Sequence, residues 1–154
     1  MHTDAALRDA IVGAWTLGSY WSADLDGGDR RYPLGQDATG LIVYGADGFM
    51  SVQIGAPARP PYADGALHGG TETERAAAAG GYLAYAGTYS IEDGVVTHRP
   101  TTSLFPNWIG VELPRRVRLE GDTLALDILA PILHEGRERT GTLTWHRAAP
   151  QPPR

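Results

Sequence analysis

The chain has 154 residues, a formal charge of −5, 20 Gly and 11 Pro; all 13 of its basic residues are Arg, and it has no Cys. The acidic balance argues against nucleic acid or an anionic membrane surface as partner. The missing Cys excludes disulfides and thiolate metal sites, and the missing Lys excludes Schiff-base chemistry.

One domain is expected, residues 1–154, with a core from about residue 11 to 147 and a frayed Pro-rich tail over 148–154. No basic stretch followed by an apolar one stands at the start, and no run approaches the length of a membrane span. The expectation is a cytoplasmic protein with a small-molecule partner and, as one option, self-association.

In chain order, Leu7–Ala10 reads as a short lead-in helix. Ile11–Ala23 reads as a strand with Ile11, Trp15, Leu17 and Trp21 on its apolar side, and Gly13 and Gly18 let it bend. Asp26-Gly27-Gly28-Asp29 is a turn, and Tyr32-Pro33-Leu34-Gly35 an irregular loop. Gly40–Tyr44 and Phe49–Ile54 flank Gly45-Ala46-Asp47-Gly48, a hairpin signal. Pro57, Pro60 and Pro61 bar regular structure from the next stretch.

Thr71-x-x-Glu74 is a capping box that predicts a helical excursion around residues 71–85, kinked at Gly80-Gly81. The whole connection 55–81 reads as a lid or as a helix that closes one end. After it, Gly87–Ile91 pairs with Val95–Arg99, Val111–Leu119 pairs with Thr123–Leu129, and Arg139–Arg147 closes the domain. About eight strands joined mostly by short turns predict an all-β fold, an antiparallel eight-stranded barrel. A barrel of that size holds packed side chains or one small ligand.

Two residues carry the chemistry. In the strand 111–119, period 2 puts Val111, Leu113, Arg115, Val117 and Leu119 on one face and Arg116 and Arg118 on the other. Arg115 is then the lone charge on an apolar face. It needs a partner: a carboxylate, enolate or carbonyl of a ligand, or else an internal acid or backbone carbonyls. His98, on the same side as Val96 and Pro100, is a candidate acid/base or a satisfied core residue. Asn107 and Trp108 sit on a loop shaped by Pro106 and Gly110, as a mouth wall or a plug. Tyr44, Gln53, Tyr62 and Tyr85, with Tyr82 and Tyr89, are polar-tipped candidates for lining a site for an oxygenated ligand. The five His lack ligand spacing and no cofactor motif is present, so neither metal nor cofactor is expected.

Gly13-x-Trp15 resembles the opening signature of lipocalins. A longer pattern includes Tyr32-Pro33-Leu34-Gly35, Asp47-Gly48-Phe49-Met50-Ser51-Val52, Gly81-Tyr82-Leu83-Ala84-Tyr85-Ala86-Gly87, Thr97-His98 and Phe105-Pro106-Asn107-Trp108. It resembles the bacterial and fungal lipocalin-like domain family over nearly the whole chain, with Pro114 as a departure that suggests an edge or bulge. The resemblance implies a small-molecule pocket, specialised metabolism, and Trp15 plugging the closed end under Arg147. Two functions follow as expectations. One is a cofactor-independent cyclase, isomerase or lyase in which His98 moves a proton and Arg115 with Asn107 stabilises negative charge on oxygen. The other is a non-catalytic binding or carrier protein that uses the same cavity inside the barrel, and a filled barrel serving as a structural or oligomerising module is a third reading.

Overall fold

A computed structural model of the chain describes residues 2–154. Helix α1, Asp4–Ile11, starts where the Thr3 hydroxyl accepts the Ala6 N–H, and it buries Leu7 and Ile11. Ile11 therefore belongs to the helix and not to the first strand. Gly13, at φ 118°, turns the chain into β1, Gly13–Asp24. The hairpin β2, Thr39–Tyr44, and β3, Phe49–Gly55, follows as expected.

Helix α2, Glu72–Gly80, opens on the full capping box, with Thr71 and Glu74 each accepting the other's backbone N–H. It stops at Gly80 instead of kinking onward. Gly81 is its C-cap, and Tyr82–Tyr85 is extended, the start of β4, Tyr82–Glu92. Then come β5, Val95–Ser103, a 3₁₀ turn Pro106–Trp108, β6, Leu113–Glu120, β7, Thr123–Ile128, β8, Ile132–His134, and β9, Arg137–Arg147.

Every neighbouring pair is antiparallel, and β1 pairs with both β2 and β9, which closes the sheet. The short β8 pairs with β9 beyond the stretch that β7 occupies, so β7 and β8 share one position in an eight-stranded ring. Pro131 breaks the two apart, since it cannot donate to a ladder. Pro114 causes no register shift between β5 and β6; it lies at the start of β6, where its missing N–H costs little.

A bulge does occur in β1. Leu17 faces Trp145, but Ser19 faces Thr144, so Gly18 is the extra residue. It reverses the alternation, and Tyr20 and Ser22 turn inward while Trp21 points out beneath the Arg30 guanidinium, 3.9 Å from its ring centroid. The expected inward Trp21 is thus corrected by one inserted residue. A second shift, between Ala86 and Gly87 opposite β5, depends on glycine: a Cβ at Gly87 would overlap the carbonyl of Arg99.

One end of the barrel carries the tight β2–β3, β4–β5 and β6–β7 turns, and α1 covers it. The Asp4 carboxylate accepts the N–H groups of Asp93 and Gly94 at 2.8 and 3.0 Å. Trp15 is fully buried there, and its indole N–H donates to Ile11 O at 2.9 Å. The Arg147 guanidinium lies 4.1 Å from the Trp15 ring centroid and donates to Ala10 O and Val12 O. The long connections gather at the other end, the mouth.

Candidate functional site

Three strands supply a hydrogen-bonded polar triad to the interior. From β5, His98 is buried at 2% exposure. Its Nε2 lies 2.6 Å from the Tyr44 hydroxyl of β2, and its Nδ1 lies 2.7 Å from the Tyr85 hydroxyl of β4. Burial, and secondarily the Arg115 charge, pushes the His98 pKa down to about 3, so the ring is neutral at pH 7. A neutral imidazole offers one N–H and one lone pair, so one phenol donates to it and the other accepts from it. Tyr85 lines the interior hollow and Tyr44 does not. We therefore assign Tyr44 O–H to Nε2 and Nδ1–H to the Tyr85 oxygen, which aims the Tyr85 O–H into the hollow. Burial raises the pKa of both phenols, so they too are neutral.

Arg115, on β6, also lines the hollow and is 4% exposed. Among the described residues its side chain makes one hydrogen bond, from Nη1 to the carbonyl of Pro114, at 3.0 Å. Arg139 is equally buried and makes the contrast. It donates to Ser22 Oγ at 3.2 Å and to the carboxylates of Asp24 and Asp29 at 3.1 and 3.2 Å. Arg139 is a compensated structural cation that ties β9 to β1 and the following turn. Arg115 has no carboxylate within salt-bridge distance among the described residues. Its charge cannot be shed, because guanidinium stays protonated in proteins.

The hollow beside these groups has a volume of about 20 Å³, room for about one water-sized group. A larger cleft of about 470 Å³ opens above it at the mouth, in the size range of small-molecule sites, roughly 300–1,000 Å³. Pro33 and Leu34, the end of α2 at Ala79 and Gly80, Leu104 and Phe105, and β8 surround it. Tyr20, Leu83, Trp108 and Ile132 line both spaces and form the partition between them. Trp108 stands edge-on to Tyr85, with centroids 5.6 Å apart, and against Phe105 at 5.5 Å.

Of the residues singled out from the sequence, the structure brings His98, Arg115, Tyr44, Tyr85 and Trp108 together. It does not bring Gln53, Tyr62 or Asn107 to them. Gln53 is on the outer face of β3, where it accepts the Tyr82 hydroxyl at 2.8 Å. Tyr62 packs on Gly70, and Asn107 is exposed on the 3₁₀ turn. The segment before α2 thus contributes little to the site, and only the end of α2 reaches the mouth cleft. Two lining residues with a polar group are not among those the sequence singles out. Tyr20 faces inward because of the Gly18 bulge, and a lone Gly inside a strand was its signal. Trp145 is fully buried, lines the hollow, and its indole N–H has no partner among the described residues.

The family model described as a lipocalin-like domain matches residues 12–148. The chain belongs to the lipocalin-like domain family. It is similar to the 4'-hydroxy-3'-methoxypropiophenone carrier protein ppsC of Aspergillus oryzae, 34% identical over 106 residues that cover 64% of this chain and 96% of that one. Among solved structures it is similar to a lipocalin-like protein of Bacteroides uniformis, with 14% identity, a TM-score of 0.45, and coverage of 90% of this chain and 98% of that one. No helix among the described residues is long and apolar enough to cross a membrane.

The polar floor of this lipocalin-like domain consists of donors: the Arg115 guanidinium, the Tyr85 O–H and the Trp145 N–H. Such a set suits an electron-rich oxygen. His98 is tied at both nitrogens, so any proton it moves must pass through a tyrosine. Its burial also sets a stability slope. His98 binds its proton near pH 6.5 in the unfolded chain and near 3 in the folded one. Its contribution is complete above pH 6.5 and is lost as pH falls toward 3, by up to about 1.4 kcal/mol per unit. Urea unfolding at pH 6.5 and 5 should therefore show His98→Gln losing about 1.5 kcal/mol less than wild type over that interval. Equal losses would mean that His98 is not held neutral.

Proposed function

We propose that this lipocalin-like domain binds a small, partly apolar, oxygenated organic molecule, with its carbon skeleton in the mouth cleft and an oxygen directed at Arg115. The observation that carries the reading is the buried Arg115 charge with no carboxylate partner, below an apolar cleft of ligand size. A buried cation of that kind is costly unless a bound group supplies the missing acceptor. The similarity to an aryl ketone carrier supports aryl ketones as the ligand class and a carrier role, in specialised metabolism, as the main reading.

Turnover without a cofactor, of the cyclase, isomerase or lyase type, is the second reading. The chain Tyr44–His98–Tyr85 supports it, since it offers a path for a proton to the ligand oxygen. Against it stands the lining of the hollow, where no carboxylate is present to remove a proton.

Calorimetric titration with 4'-hydroxypropiophenone and with propylbenzene tests the binding reading. The ketone should bind at least tenfold more tightly, as expected for a buried polar site that pairs with oxygen. Equal affinities, or no binding of either, would overturn it. Proton NMR of the same ketone with the protein in D2O separates the two roles. An unchanged ligand spectrum fits a carrier, and protein-dependent exchange or conversion fits an enzyme.

A further inference from the structure

The charge count of the interior reaches beyond the class of ligand to its ionisation state. The titratable groups facing Arg115 are Tyr20 from β1, Tyr44 from β2, Tyr85 from β4 and His98 from β5. The inner face of β3 presents only Val52 and Ile54 to the hollow, and that of β7 only Leu126 and Ile128. From β9 come Leu143 and Trp145, and nearer the mouth Arg139, whose charge Asp24 and Asp29 already answer. On β6 itself Arg116 and Arg118 point outward, to Asp93 O and the Asp127 carboxylate. Every phenol in this set is held neutral by burial, and so is the imidazole. The hollow therefore carries one positive charge and no negative one.

A neutral carbonyl would accept hydrogen bonds from this floor but leave the charge uncompensated. An anion would do both, with charge-assisted bonds about twice as strong. The hollow has room for about one oxygen-sized group, so only the charged atom needs to enter it. Its skeleton lies in the mouth cleft, with the edge of the ring that bears the oxygen between Tyr20, Leu83, Trp108 and Ile132, which line both spaces.

Building on the binding reading above, we propose that the ligand is held as an oxyanion. It is an aryl ketone whose hydroxyl is acidified by conjugation with the carbonyl, and that hydroxyl is ionised in the site with its negative oxygen against the Arg115 guanidinium. The proton leaves to solvent when the ligand binds and returns when it is released. No group facing Arg115 titrates between pH 6 and 9, so the pH dependence belongs to the ligand. Below the pKa of the free phenol, each unit of rising pH should tighten binding about tenfold, and above it affinity should level off. His134, at the rim of the cleft on β8, is the one imidazole near the path, and a His134→Gln variant separates its contribution.

The test is absorbance titration of 4'-hydroxypropiophenone with the full chain at pH 6, where the free probe is neutral, in parallel with tryptophan quenching. The long-wavelength phenolate band should rise in step with quenching, and 4'-methoxypropiophenone, which cannot ionise, should bind at least tenfold more weakly. Arg115→Gln should abolish the band and Arg115→Lys should retain part of it, with circular dichroism and Tm confirming that both fold. If the probe quenches but keeps its neutral spectrum, with affinity independent of pH, the oxyanion proposal fails and the binding reading stands. If neither ketone binds at millimolar concentration, both fail.

Discussion

Arg115→Met is expected to move stability and binding in opposite directions. The ligand-free protein should gain about 1–3 kcal/mol, a few degrees in Tm, because a buried charge without a carboxylate gives way to an apolar chain of similar reach. Affinity for a hydroxyaryl ketone should fall about 100-fold or more, the loss of two charge-assisted hydrogen bonds at roughly 1.5–3 kcal/mol each. Paired urea unfolding and calorimetric titration read both. The same change at Arg139 should only destabilise, since it strands Asp24 and Asp29. A purely structural Arg115 would behave as Arg139 does: its loss would lower Tm and leave affinity unchanged.

Trp15→Ala should be the most damaging single substitution outside the site, costing about 3–5 kcal/mol of stability. Trp15 fills the closed end with no exposure, donates to Ile11 O, and lies under the Arg147 guanidinium. Its loss would open a cavity and also release the contact that holds α1 against the barrel. Chemical denaturation reads the effect, with Arg147→Met as the milder companion, at about 1 kcal/mol for a partly exposed stacking cation. A Trp15 variant within 1 kcal/mol of wild type would mean that α1 does not plug the barrel.

The barrel was legible in the sequence because its turns were. Asp47-Gly48, Asp93-Gly94 and Gly121-Asp122 each separate β-patterned runs, and each is a hairpin turn in the structure. Arg115 was legible because β6 alternates strictly over Leu113–Leu119, with no bulge to break the period. The misplaced residues trace to local events. Gly18 inserts one residue and exchanges Trp21 for Tyr20 on the inner face. Gly80 and Gly81 end α2 outright, so Tyr82–Tyr85 joins the sheet. Gln53 needed no structure: Met50, Val52 and Ile54 point inward, so period 2 already puts Gln53 outside.

The division of space was not legible at all. Period tells which face a side chain takes, not how much room remains between faces. Trp15, Trp145, Tyr44, Tyr85 and Tyr89, from four strands, together fill most of the barrel and leave a small hollow beside Arg115. Ligand-sized space sits instead at the mouth, among loops whose packing depends on contacts distant in sequence. Nor could the sequence give the missing counterion of Arg115, since that depends on the inner faces of all the other strands at once.

In the proposed function, Arg115 awaits the oxygen of a ligand whose skeleton lies in the mouth cleft. A crystal structure of the full chain with 3'-bromo-4'-hydroxypropiophenone tests it most directly, because anomalous scattering from bromine fixes the orientation of the ring. An oxygen of the ligand is expected within about 3.2 Å of an Arg115 guanidinium nitrogen, with the ring against Leu83 and Trp108. A ligand held elsewhere, or one in the cleft with no oxygen directed at Arg115, would contradict it.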